Sequence, residues 1–187
     1  MISITSLWLP IVLSAVFVFI ASSIIHMLLQ YHSTDFKKLP DEDALRGAIR
    51  NANVAPGDYM FPHAASAKDM GSPEMTAKCN EGPVGMVTVM PSGPPAMGKN
   101  LVMWFVFSLV IGLFAAYVAS RTLAPGAEYL TVFRVTGTVA FLSYGAAHAT
   151  DSIWMGRAWG STIKNIFDAL IYGLMTAGAF GWLWPDA

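Results

Sequence analysis

Charge is what this 187-residue sequence has little of: Asp, Glu, Lys and Arg make up 12% of it, while 55% is hydrophobic. A soluble domain carries about twice that charge, ~25%. A chain this small keeps most of its residues near its surface, and so few charges cannot cover that surface in water. The surplus apolar side chains must meet lipid, so the chain reads as an integral membrane protein. The remaining charges nearly cancel, 11 Lys and Arg against 12 Asp and Glu, which leaves no basic patch for nucleic acid. Cysteine occurs once, at Cys79, excluding an intramolecular disulfide and any CxxC redox or zinc motif. P-loop, dinucleotide-binding, HExxH and nucleophile-elbow patterns are also missing. With no catalytic constellation, the expectation is a non-enzyme, and no metal-ligand set or cofactor is specified.

What is present is a series of long apolar runs. Crossing the ~30 Å hydrocarbon core takes roughly 20 mostly apolar residues, and residues 7–29, 101–120, 129–149 and 163–184 qualify. The first holds no charge and has Trp8 at one end; the second follows Lys99 and stops at Arg121. The third contains Arg134, and the fourth contains Asp168 and closes on Trp182, Trp184 and Pro185. Aromatic residues at such ends suit the membrane interface. The opening MISITS lacks Lys and Arg, and the apolar run after it is about twice a signal-peptide core, so the first span is expected to be retained. The predicted fold is all-α: a polytopic membrane protein with four transmembrane helices. It forms one membrane domain over residues 1–187, with a long connection, residues 30–100, between the first two spans.

Four spans put both termini on one side. The long connection carries Lys37, Lys38, Arg46, Arg50, Lys68, Lys78 and Lys99, the third connection adds Arg157, and Lys164 opens the fourth span. The second connection offers only Arg121. The positive-inside rule then places residues 30–100 in the cytoplasm of a bacterial-type inner membrane, with the termini outside. Within this connection, Asp41 is positioned to cap a short helix over 44–51, with acidic residues in its first turn. Pro56-Gly57 marks a turn, residues 61–83 show no period, and 84–90 reads as one strand. A lone strand does not stand without partners, so the connection is expected to be loosely structured or held by something else.

The helix faces carry the functional signals. Small residues recur every fourth position at Ser108, Gly112, Ala116 and Ser120, and again at Ala169, Gly173, Ala177 and Gly181. Such ridges allow close backbone approach in lipid, and two of them are more than a four-helix bundle requires internally. Polar residues also form stripes at helical spacing: Arg134 to His148 and Asp151 on the third span, Lys164, Asp168 and Tyr172 on the fourth, Ser22, His26 and Gln30 on the first. A polar side chain facing lipid is costly, so the stripes should turn inward. At the predicted topology, His26, His148, Asp151, Lys164 and Asp168 gather within about two turns of one membrane face, and this cluster is the candidate site. Arg134 sits apart near the other face, with Glu128 as a candidate partner.

The plainest reading of the cluster pairs Lys164 with Asp168 at i and i+4, with the histidines capping helix ends. The leading functional expectation is a non-catalytic membrane subunit, partnered by lipid and by other membrane subunits or a second copy. A proton- or cation-moving transporter or channel built on Asp168, His148 and Asp151 is the alternative. A haem or quinone held by His26 and His148 is a further one. The connection's Met60, Met70, Met75, Met86, Met90, Met97, His63 and Cys79 suit monovalent copper by softness, but their spacing has no tight repeat.

Overall fold

The computed structural model describes residues 2–186. In chain order its elements are α1 (Trp8–Ile24), α2 (Glu42–Asn51), β1 (Gly57–Phe61), α3 (Ala67–Met70), α4 (Pro73–Glu81), β2 (Gly85–Val89), α5 (Met97–Thr122), α6 (Tyr129–Met155) and α7 (Trp159–Trp182). A 3-10 turn, Ile4–Leu7, leads into α1, and a π-turn, Ile25–Leu29, widens its end. Among the described residues, three helical stretches are long and apolar enough to cross a membrane: Ile4–Leu29, Met97–Thr122 and Tyr129–Met155. The helix α7 has 24 residues, enough for a span by length, but Lys164, Asn165 and Asp168 make its first half polar. Two compact units divide the chain: Met1–Phe36 with Ala96–Ala187, and Lys37–Pro95.

In the first unit, α1 and α6 each pack against both α5 and α7, closing a ring of four helices. Short connections make α5, α6 and α7 antiparallel neighbours. The seams are made of small side chains. On α5, Ser108, Gly112, Ala116 and Ser120 are buried, and a Cβ at Gly112 would lie 3.3 Å from the Ile11 carbonyl oxygen on α1. On α7, Ala169, Gly173 and Ala177 are buried. A Cβ at Gly173 would meet the Gly137 carbonyl oxygen and the Phe141 amide nitrogen at 3.2 Å, both on α6. Both ridges are thus consumed by contacts between this chain's own helices. That contact is what drives helix association where lipid is as apolar as the side chains.

One apolar core, with Leu7, Ala119, Val132, Phe180 and Trp184 in it, lies toward the termini. Trp184 Nε1 donates to the Ala124 carbonyl at 3.0 Å, tying the end of the chain to the α5–α6 connection. A second core, with Val18, Ile111, Ala140, Tyr144 and Tyr172, lies further along the bundle. The four helices therefore form a rigid frame for the side chains beyond that second core.

The second unit is small but has regular structure. Strand β1 pairs antiparallel with β2, Gly57 opposite Val89 and Phe61 opposite Gly85, so the strand expected at 84–90 has a partner after all. The helix α2 begins as expected, with Asp41 accepting from the Ala44 amide at 2.9 Å. In the stretch without a period lie α3 and α4. Ser72 caps α4 with Pro73 at its first position, and Glu74 pairs with Lys78 at 2.8 Å. Caps and an i,i+4 pair suffice for two turns, which are too short to build a readable period.

Substitution at the α6–α7 seam should separate these helices. Gly173→Val puts a branched Cβ 3.2 Å from backbone atoms of α6 that cannot yield, at a cost of about 1–3 kcal/mol. Gly178→Ala, whose Cβ meets only the Tyr129 hydroxyl at 3.9 Å, should be nearly neutral. Thermal unfolding of the two variants in one detergent checks this; equal melting temperatures would contradict it.

Candidate functional site around Asp168

The site begins where α1 ends. After the π-turn, Gln30 adopts φ 49° and ψ 12°, left-handed backbone in a non-glycine residue. This conformation carries a cost of order 1–3 kcal/mol and reverses the chain. The next residues, Tyr31–Thr34, form a 3-10 turn laid against the start of α7. There Asp168, one turn beyond Lys164, is 3% exposed. A buried carboxylate is tolerable only when hydrogen-bonded or paired, and the reversed segment supplies the donors. The Tyr31 hydroxyl donates to Asp168 Oδ1, and His32 Nε2 stands 2.8 Å from Asp168 Oδ2.

A second carboxylate completes the arrangement. His32 Nδ1 lies 2.6 Å from Asp35 Oδ2, so the imidazole bridges two carboxylates, one at each ring nitrogen. With both nitrogens protonated, each donates to one carboxylate. Lys164 Nζ donates to the Tyr31 carbonyl at 2.6 Å, to Thr34 Oγ1 at 2.8 Å and to Asp35 Oδ1 at 2.8 Å. This lysine hydrogen bond holds Asp35 at about 2, below the usual carboxylate range; burial opposes the shift and the His32 hydrogen bond adds to it. Burial raises the Tyr31 hydroxyl above its ordinary value, and its bond to Asp168 raises it further. His26 reaches the cluster from the π-turn, its Nε2 3.7 Å from Asp168 Oδ2 and its ring 4.6 Å from that of His32.

Of the residues singled out in the sequence, His26, Lys164 and Asp168 do come together. Lys164 turns to the reversed segment and not to Asp168, so the expected i,i+4 pair is replaced by bonds to Tyr31, Thr34 and Asp35. His148 is close by without touching the cluster: it lines, with His26, Asp168 and Asn165, a cavity of about 380 Å³ walled by Trp104, Phe107, Tyr144 and Tyr172. Two of these lining residues each have a buried polar atom that makes no hydrogen bond, His148 Nδ1 and the Tyr172 hydroxyl. Trp104 is fixed by donating to Ser22 Oγ at 2.9 Å. An apolar cleft of about 500 Å³, with Met27, Met97 and Leu101, shares His26 and Trp104 with this cavity. Asp151 faces Arg157 at 4.0 Å. Arg134 is exposed on α6 beside a groove formed with Phe141, Leu170 and Leu174. Among the described residues it has no ion-pair partner, Glu128 included.

Tyr31, His32 and Asp35 are the residues that sequence reasoning missed. They fall just past the first span and read as the start of a loop. The available signal was the density of polar side chains in YHSTD, with His32 and Asp35 three apart. Comparison of the chain with protein-family models, curated proteins and solved structures found no match.

The lowered Asp35 value sets a pH dependence. An unfolded carboxylate titrates near ~3.9, so a folded value of about 2 adds stability that is fully present above pH ~4. It is lost as pH falls through about 2. The melting temperature of the protein should exceed that of Asp35→Asn at pH 6, and the gap should close between about pH 4 and pH 2. A gap that does not change with pH would contradict this account.

Proposed function

We propose that the chain is a non-catalytic integral-membrane subunit that binds a quinone-type ligand, a flat ring with carbonyl acceptors and an apolar tail. The observation that carries this reading is one aromatic-walled cavity whose lining includes His148 and Tyr172, each of which has a buried polar atom without a partner, His148 Nδ1 and the Tyr172 hydroxyl. A buried polar group without a partner costs about 1–3 kcal/mol, and ring carbonyls presented to these groups would remove that cost. The cavity volume falls in the roughly 300–1,000 Å³ typical of small-ligand sites, and the adjoining apolar cleft suits the tail. Haem fits less well: His26 turns its Nε2 toward Asp168, leaving His148 alone as an axial ligand.

In this reading α7 is the fourth span. The basic residues put the 30–100 connection in the cytoplasm of a bacterial inner membrane, with the termini outside. The site then lies at the cytoplasmic face. Arg134, exposed within an apolar helix and unpaired among the described residues, favours a role as one subunit among several. An acidic group on another membrane subunit, or on a second copy, would supply its partner. A second reading, proton or cation movement, draws support from the buried Asp168 between two histidines.

Titration of the purified protein with a short-chain quinone, followed by tryptophan fluorescence, tests the proposal. Saturable quenching is expected, weakened about tenfold by Tyr172→Phe or His148→Ala, the loss of one hydrogen bond. Binding unchanged in both variants would contradict it. Proton flux into proteoliposomes that is independent of quinone and lost in Asp168→Asn would favour the second reading instead.

A further inference from the structure

We propose that His26, His32 and Asp168 form a binding site for a divalent transition-metal ion, zinc in the first instance, with Asp35 and Tyr31 orienting its ligands. One donor atom from each of the three side chains lies within 4.8 Å of the others. A tetrahedral ion with bonds of ~2.0–2.1 Å holds its ligand atoms about 3.4 Å apart. The two distances to Asp168 Oδ2, 2.8 Å from His32 Nε2 and 3.7 Å from His26 Nε2, straddle that edge, and the two histidine donors lie within 4.8 Å of each other, so loading needs the half-exposed His26 ring to swing toward His32. Two imidazoles and one carboxylate are the donors of zinc and its first-row neighbours, not of calcium or magnesium.

The surroundings match what such a site needs. Metal-bound histidine nearly always donates its second ring nitrogen to a carboxylate or carbonyl, which fixes the tautomer and the ring plane. Asp35 does this to His32 at Nδ1, leaving Nε2 for the ion. Tyr31 holds Asp168 Oδ1, leaving Oδ2. A cavity of about 260 Å³ lined by His26, His32, Asp35 and Arg157 opens onto the two histidine ligands, and His26 is about half exposed at 49%. That cavity is an access route and gives room for water as a fourth ligand.

The decisive residue is His26. Tyr31, His32, Asp35, Lys164 and Asp168 already satisfy one another by hydrogen bonds, whereas His26 stands 3.7 Å from Asp168, too far to hydrogen-bond. Its contact with the network is the ring packing on His32, 4.6 Å between centroids, which needs no ligating nitrogen; a metal site does. Binding would displace the proton that His32 Nε2 shares with Asp168, so uptake of the ion should release protons. The atoms involved differ from His148 Nδ1 and the Tyr172 hydroxyl, so this site stands or falls apart from the quinone reading.

The test is calorimetric titration of Zn²⁺ into the full chain in detergent, with His63→Ala and Cys79→Ser removing other zinc donors of the connection. One saturable equivalent is expected, with proton release seen as a buffer-dependent heat. Asp35→Asn should weaken binding about 10–100-fold, His26→Ala at least as much, and His148→Ala not at all. Because His26 is half exposed and makes no hydrogen bond, its alanine variant should lose only its ring contact with His32 and so stay folded, with a melting temperature close to wild type without metal. Wild-type zinc affinity in His26→Ala, or no saturable binding in the parent, would overturn the proposal.

Discussion

A carboxylate placed in the interior of an apolar bundle must be given partners, and Asp168 obtains them from a segment outside the helices. Its two oxygens are met by Tyr31 and His32. These residues reach it only because the chain reverses at Gln30 in left-handed backbone. The strain of that reversal and the widened turn before it are local costs, offset by satisfying a buried charge. Once the segment is folded back, Lys164 is drawn away from Asp168 and onto Asp35, and His32 is clamped between two carboxylates. His26 is then left facing Asp168 without a hydrogen bond of its own. One buried group thereby organises five side chains from two distant parts of the sequence.

The bundle makes this economical. Its seams are closed by glycine, alanine and serine, so α6 and α7 meet nearly backbone to backbone along Gly137 and Gly173. The aromatic residues that would not fit in such seams collect in and against the second apolar core, Tyr144 and Tyr172 within it and Trp104 packed on it. There they wall a cavity whose lining also includes Asp168 and His148. Aromatic cavity and polar cluster therefore meet at the same carboxylate.

Much of this was legible in the amino-acid sequence, and the part that was not has a physical cause. The long apolar helices, the Asp41 cap and the gathering of His26, Lys164 and Asp168 at one level all follow from period and composition. The small-residue ridges were also visible. Whether they served this chain or another was not, because packing against self and against a partner demands the same residues. The β1–β2 pairing and the two short helices before β2 depend on caps and on contacts made across the sequence, which leave no period. The reversed segment was hidden for a related reason. Tyr31, His32 and Asp35 lie beyond a helix end, and only the three-dimensional demand of Asp168 for donors brings them back. The Lys164–Asp168 spacing pointed to a pair that the nearer, more exposed Asp35 wins.

The account stands on the link between Asp168 and the reversed segment, and a double-mutant cycle measures that link directly. Equilibrium unfolding of the protein, His32→Ala, Asp168→Asn and the double variant would give the coupling free energy of the two side chains. A coupling of about 0.5–3 kcal/mol, the range for groups sharing one hydrogen-bonded network, is the predicted result. Single-variant effects that simply add in the double variant would contradict it.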